Sequence, residues 1–160
     1  MNARIRELRE ALPADAPVLS QLARRSKAHW GYSRAFMSAC EAELTYACED
    51  IAEQAFFVLQ DGERIAGFYA LYRNSDTQAE LEALFVEPEC IGTGCGRELI
   101  EHAKSTAAAR GFRELIIQGD PNAARFYEAA GGLQIGARES GSIPGRFLPL
   151  FRILLDESGK

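Results

Sequence analysis

The chain lacks the residue spacing that metal binding or cross-linking needs. Its four cysteines, Cys40, Cys48, Cys90 and Cys95, form no C-x-x-C pair, and its two histidines, His29 and His102, stand far apart. That excludes the usual zinc spacings and a disulfide framework, so no metal is expected and the cysteines read as reduced thiols. Long apolar runs are missing too. No stretch approaches the ~20 residues of a membrane span, and the charged N-terminus lacks the apolar core of a signal peptide. A cytoplasmic protein with no membrane partner is the expectation. Positive charge is short, with 18 Lys and Arg against 23 Asp and Glu for a net −5, which argues against a nucleic-acid partner. Any phosphate site has to be local and built from backbone dipoles. The acidic balance suits a cationic or amine-bearing substrate, and it is equally what keeps a small domain soluble. No repeat, low-complexity tract or linker interrupts the chain, so residues 1–160 read as one domain with its own core.

What the chain does have is a glycine run, Gly92-Thr93-Gly94-Cys95-Gly96, between a strand-like segment at 81–86 and a helix-like one at 97–110. Alternating glycines let successive backbone N–H groups converge on an anion at a helix N-terminus, where unpaired donors and the helix dipole favour negative charge. A phosphate or pyrophosphate is the expected guest. From the run alone, a tight strand-to-helix turn needing positive φ is the alternative. Two familiar phosphate loops do not fit. The P-loop requires Gly-Lys and then Ser or Thr, but Gly96 is followed by Arg97 and Glu98. The dinucleotide fingerprint, G-x-G-x-x-G, belongs in an opening βαβ unit, whereas this run begins past the middle of the chain. Cys95, at the expected helix N-terminus, is the one cysteine placed where reactivity is favoured.

Periodicity sets the remaining elements. Residues 5–9 (Ile5 onward) alternate like a half-buried strand, and Val18, Leu19 and Leu22 predict a helix after Pro13 and Asp15 that runs to about Lys27. Ser33 reads as the cap of a second helix carrying Phe36, Met37 and Cys40, while residues 48–54 show only a weak pattern. Residues 56–60 and 64–72 flank Asp61-Gly62, the turn of a hairpin, and 79–86 adds a third strand that Pro88 ends. Beyond the glycine run, Leu99, Ile100, Ala103 and Ala107 share a helix face, with Gly111 at the cap position. A buried strand at 115–117 follows. Asp120-Pro121 then opens a short helix that Gly131-Gly132 closes, and strands near 133–138 and 148–155 complete the pattern. The expected fold class is a mixed α/β domain in the order β-α-α-β-β-β-α-β-α-β-β.

These residues resemble the GNAT superfamily of acyl-CoA-dependent N-acyltransferases. The stretch AELEALFVEPECIGTGCGRELIEHA is similar to the family's acyl-CoA signature of strand, proline, G-x-G-x-G turn and helix. DPNAARFYEAAGG is similar to its second signature, an Asn followed by Phe-Tyr and a glycine pair. Both stand in the family's order, and the element order agrees over residues 5–155. The resemblance implies a GNAT-like fold with acetyl-CoA as co-substrate. It implies a cofactor site of Leu84, Phe85, Val86, Ile91, Gly92, Thr93, Gly94, Cys95, Gly96, Arg97, Asn122, Arg125 and Tyr127. Ile91 departs from the pattern, standing where the family usually has Gln or Arg, which shifts weight onto backbone donors and Arg97. A strand splayed at 84–86 would pair with the pantetheine amides and leave an N–H for the thioester carbonyl. From its residues alone that triplet is plain buried core.

Acyl transfer from a thioester needs a neutral amine and a proton for the departing thiolate. The resemblance places Tyr127 as the proton donor, since a hydroxyl with a pKa of about 10 matches a thiolate of comparable basicity. Tyr127 also completes a helical stripe with Ala123 and Ala130, which suits a core aromatic. Asn122 is implied as a ligand of the pantetheine arm. For the base, period-two alternation puts Glu80 and Glu82 on one face unless a bulge intervenes, and Glu80 matches the family's frequent base and ranks above Glu82. A solvated sheet face is the other reading of both.

His29, Trp30, Tyr32 and Arg146 lie in segments that flank the acceptor cleft in the resembled fold. The aromatics suit an amine and Arg146 a carboxylate, His29 is a further base candidate if its connection folds over the acceptor, and Trp30 equally reads as a staple between helices. The expected partner is a small-molecule or peptide amine, with nothing to select among an amino acid, a polyamine, an antibiotic, a peptide N-terminus or a protein lysine. Homodimers are common in the family, but no segment marks an interface. The leading expectation is acetyl transfer through a ternary complex with no covalent enzyme intermediate. A non-catalytic acyl-CoA-binding sensor or scaffold is the alternative, and pocket depth beyond Phe85 decides whether the donor is longer than acetyl.

Overall fold

The protein is described by a computed structural model over residues 6–155; Ile5, where the first strand was expected to begin, lies outside them. Strand β1 (Arg6–Glu10) leads into helices α1 (Ala16–Ala28), α2 (Arg34–Ala39) and α3 (Cys48–Glu53). A meander of β2 (Ala55–Asp61), β3 (Arg64–Arg73) and β4 (Gln78–Val86) follows, then α4 (Cys95–Ala109), β5 (Glu114–Gln118), α5 (Ala124–Ala129), β6 (Leu133–Glu139) and β7 (Phe147–Leu154). The described residues form one mixed sheet in the order β1-β2-β3-β4-β5-β7-β6, with β4 and β5 parallel and the other pairs antiparallel. The sequence pattern anticipated this class and order apart from α3. That helix is too short to show a period: it buries only Ile51, and Asp50 Oδ2 caps it by accepting from the Ala47 N–H at 2.8 Å.

Two cores lie on opposite faces of the sheet. On one face Leu19, Leu22 and Ala23 of α1 pack with Phe56, Val58 and Phe68; on the other Leu99, Ile100 and Ala103 of α4 pack with Leu59, Tyr69 and Leu115. Strand β3 serves both, which is why it is buried continuously from Ile65 to Leu71. Each large apolar side chain so enclosed contributes about 1.5–3 kcal/mol. The approach of α4 to β3 depends on Gly67, where a Cβ would lie 2.8 Å from both Leu99 Cδ1 and the Phe85 carbonyl oxygen. No helix among the described residues is long and apolar enough to cross a membrane.

Candidate active site

The site begins where the sheet comes apart. Strand β4 pairs with β5 only at Gln78, Ala79 and Glu80, after which β5 stays with β7 while β4 stays with β3. The wedge between them is a cleft of about 670 Å³, lined on one side by Leu81 through Val86 and on the other by Gln118, Asp120, Asn122 and Tyr127. Because a strand directs alternate backbone groups to either side, this stretch of β4 turns polar main chain without a strand partner towards the opening. Leu84, Phe85 and Val86, expected as core or as a splayed edge, are both: they pack against the two cores and also line the cleft.

One end of the cleft is the glycine turn. Gly92 and Gly94 adopt φ of +83° and +92°, the left-handed region, and Gly94 is the N-cap from which α4 starts at Cys95. The first-turn amides of Cys95, Gly96 and Arg97 have no intrahelical acceptor. Those of Gly92 and Gly94 have no hydrogen-bond partner among the described residues. Ile91, Gly92, Gly94, Gly96 and Arg97 line the cleft, which gives an anion several converging backbone donors and one guanidinium. Thr93 and Cys95 turn their side chains away. The Thr93 hydroxyl donates to the Cys90 carbonyl at 2.6 Å, and Cys95, 1% exposed, accepts from Arg6 Nη1 at 2.8 Å. These donors fit a pyrophosphate, so the loop residues are suited to hold the nucleotide end of coenzyme A.

Tyr127 stands on the buried face of α5, 7% exposed, edge-on to Phe126 at 5.1 Å and tilted against Phe151 at 5.9 Å. Its hydroxyl makes no hydrogen bond among the described residues, and the side chain lines the cleft. Burial, then the negative charge of Asp120, push its pKa above the ordinary tyrosine value, so the hydroxyl keeps its proton. Asn122 lines the same wall, its amide donating to Tyr32 Oη at 3.1 Å and to Asp120 Oδ1 at 2.9 Å. Arg125 is exposed on α5 and does not line the cleft.

The other end is acidic and aromatic. Ala70 pairs with Ala83 and Leu71 with Leu81, so Glu82 is the extra residue of a β-bulge. Glu80 and Glu82 both line the cleft there, but in different states. Glu80 Oε1 accepts from Asn74 Nδ2 at 3.0 Å, and its Oε2 accepts from Arg138 Nη1 at 2.9 Å. Among the described residues Glu82 forms no ion pair. Desolvation, followed by the charges of Glu80 and Glu43, raises its pKa above the ordinary glutamate value against the weaker pull of Arg138. Tyr46 and Tyr72 stand beside it; burial, with Asp50 and Glu82 nearby, pushes Tyr72 up to about 12. The Tyr46 N–H donates to the buried Ser20 Oγ at 2.9 Å, which seats this segment on α1.

Between the two ends, a polar network borders the cleft. Tyr32 donates to Asp120 Oδ2 at 2.6 Å, Arg146 Nη2 donates to Tyr32 Oη at 3.0 Å, and Lys27 Nζ donates to Asp120 Oδ2 at 3.4 Å. Tyr32 also stacks on Phe36 at 4.1 Å, with the Arg146 guanidinium 4.8 Å from the Phe36 ring. Burial alone would raise Asp120. The Tyr32 hydroxyl, the Asn122 backbone N–H, Lys27 and Arg146 outweigh it and hold the carboxyl below its ordinary range. Arg146, expected to be available for an acceptor carboxylate, is thus already engaged. Trp30 lines the rim at 45% exposure, whereas His29 is exposed beside it and does not line the cleft. Sequence reasoning missed Lys27, Tyr46 and Tyr72 entirely and took Asp120 only as a helix cap. Only Asp120 carried a local signal, through its cap on the Asn122 N–H at 2.8 Å. Among the described residues no group of three or more His, Cys, Asp or Glu could hold a metal ion.

Known proteins are similar to this chain in sequence and in fold. Residues 19–132 match the model of the Acetyltransferase (GNAT) family. The chain is 29% identical over 146 residues to the 5-NmdU N-acetyltransferase of Pseudomonas phage PaMx11, covering 91% of this chain and 96% of that one. It is 28% identical over 119 residues to the peptidyl-lysine N-acetyltransferase YjaB of Salmonella typhimurium, covering 73% and 77%. The PaiA N-acetyltransferase of Thermoplasma acidophilum, solved in complex with coenzyme A, has a similar fold, with a TM-score of 0.77 at 20% identity over 94% of this chain and 99% of that one. A family match of that extent, on a sheet that parts beside a glycine turn as this one does, means that the chain belongs to the GNAT acetyltransferase family.

Proposed function

We propose that this N-acetyltransferase moves the acetyl group of acetyl-CoA directly to a primary amine of a small molecule or peptide, which enters from the acidic end of the cleft. The observation that carries the reading is the parting of β4 and β5 beyond Glu80, which opens one continuous cleft from the glycine-turn amides past Tyr127 to Glu82. The turn binds the pyrophosphate, and the unpaired edge of β4 at Leu84, Phe85 and Val86 lies along the pantetheine arm, with a backbone N–H polarising the thioester carbonyl. Glu82, rather than the Arg138-bound Glu80, accepts the proton that the ammonium loses, directly or through water. The amine nitrogen then bonds to the acetyl carbon as the carbon–sulfur bond breaks, and Tyr127 gives its proton to the departing sulfur. Its raised pKa keeps that proton available throughout the neutral range.

The two curated relatives are named for different acceptors, 5-NmdU in one and peptidyl-lysine in the other. What supports an acceptor arriving as a cation here is the group of carboxylates at Glu43, Asp50, Glu80 and Glu82, with Tyr46 and Tyr72 as its aromatic walls. Calorimetry with acetyl-CoA on the wild type and on Gly94→Trp, which fills the glycine turn, tests the cofactor half. Binding that the variant loses supports the reading and leads to an amine screen; a folded wild type that does not bind overturns it. Binding without transfer across a broad amine panel would favour a sensor or scaffold module instead.

A further inference from the structure

The glycine turn has a brace that comes from 87 residues away in the sequence. Arg6 is the first residue of β1 and does not line the cleft. Its guanidinium reaches behind the turn. Nη1 donates to Cys95 Sγ at 2.8 Å and to Thr93 Oγ1 at 3.4 Å, while Nη2 donates to the Thr93 carbonyl at 3.2 Å and to Glu98 Oε1 at 2.6 Å. One planar fork therefore ties the residue between the two left-handed glycines to the first turn of α4. We infer that Arg6 is a positioning residue for acetyl-CoA, holding the turn in its anion-binding shape and covering the Glu98 carboxylate that would otherwise repel the pyrophosphate; the inference rests on the cofactor reading above.

Two physical costs explain why a turn of this kind needs such a brace. Gly92 and Gly94 have unusually wide conformational freedom, so an unfastened turn would lose that freedom each time it closed on a ligand. Glu98 lies in the first turn of the helix whose N-terminus faces the anion, where a carboxylate is favourable to the helix dipole but unfavourable to a second negative charge. Arg6 addresses both. The hydrogen bonds to Thr93 and Cys95 fasten the turn, and the ion pair with Glu98 neutralises the charge. The β1–β2 ladder is made by main chain, with Arg6 opposite Asp61, so truncating the Arg6 side chain leaves the strand's backbone pairing intact.

The test compares donors with and without the pyrophosphate. In Arg6→Ala, KM for acetyl-CoA is expected to rise about tenfold or more, equivalent to about 1.4 kcal/mol, with kcat within about twofold of the wild type. S-Acetylpantetheine, which lacks the pyrophosphate, should be used equally well by both proteins. Arg6→Lys keeps a charge for Glu98 but loses the fork, and should recover only part of the affinity. Adding Glu98→Gln to Arg6→Ala should likewise restore only the charge part. Hydrogen exchange of the peptide spanning residues 91–99, measured without ligand, should quicken in Arg6→Ala. An unchanged KM for acetyl-CoA, or equal losses with both donors, overturns the inference. If the wild type binds no acetyl-CoA, the cofactor reading falls, and unchanged exchange in the variant then overturns the brace as well.

Discussion

Replacing Tyr127 with Phe removes a single oxygen from the centre of the cleft. The ring keeps its contacts with Phe126 and Phe151, and the hydroxyl has no hydrogen bond among the described residues to lose. Folding stability should therefore change by less than about 1 kcal/mol, the net value of a typical intramolecular hydrogen bond. Catalysis should respond very differently. On the proposed mechanism the sulfur would then depart as an unprotonated thiolate, and loss of a general acid typically costs 10²–10⁴-fold, so kcat is expected to fall by about 100-fold or more, about 2.7 kcal/mol of barrier. KM for acetyl-CoA should stay within about twofold, because Tyr127 is offered as acting on the transition state and not on cofactor binding. Continuous detection of released thiol with an amine acceptor in excess reads the rate, and a thermal melt with calorimetry reads stability and binding. Parallel losses of melting temperature, affinity and rate would mean that Tyr127 only shapes the core, and an unchanged kcat would remove it from the chemistry altogether.

Glu82→Gln should lower kcat/KM by about 100-fold and abolish an acid limb that, in the wild type, lies above the ordinary glutamate range because the Glu82 pKa is raised; Glu80→Gln should keep that limb, and the reverse result would restore Glu80 as the base. Stability should fall as pH climbs past the ordinary tyrosine value of 10.0, since Tyr46, Tyr69, Tyr72 and Tyr127 are all raised in the fold, so the native state holds protons that the unfolded chain releases. Tyrosinate absorbance followed alongside circular dichroism checks this; titration well before unfolding would contradict it. Gly67→Val should destabilise by about 1–3 kcal/mol through overpacking against Leu99 and the Phe85 carbonyl, measured by denaturant unfolding.

What the sequence by itself determined was local. Gly92 and Gly94 announce positive φ, Pro88 ends a strand, Asp120-Pro121 opens a turn, and alternation or helical spacing marks the strands and long helices, because each property depends on a residue and its near neighbours along the chain. Those signals were enough for the fold class and the glycine turn. The choice between Glu80 and Glu82 was not local. What sets the two carboxylates apart is a bulge made by strand pairing and Arg138, which reaches Glu80 across 58 residues of sequence. The same holds for Arg6 with Thr93, 87 residues apart, and Tyr32 with Asp120, 88 apart. No periodicity encodes such partners. They meet only because the fold brings β1 to the glycine turn and the α1–α2 connection to the β5–α5 connection, and their charges and burial follow from that meeting.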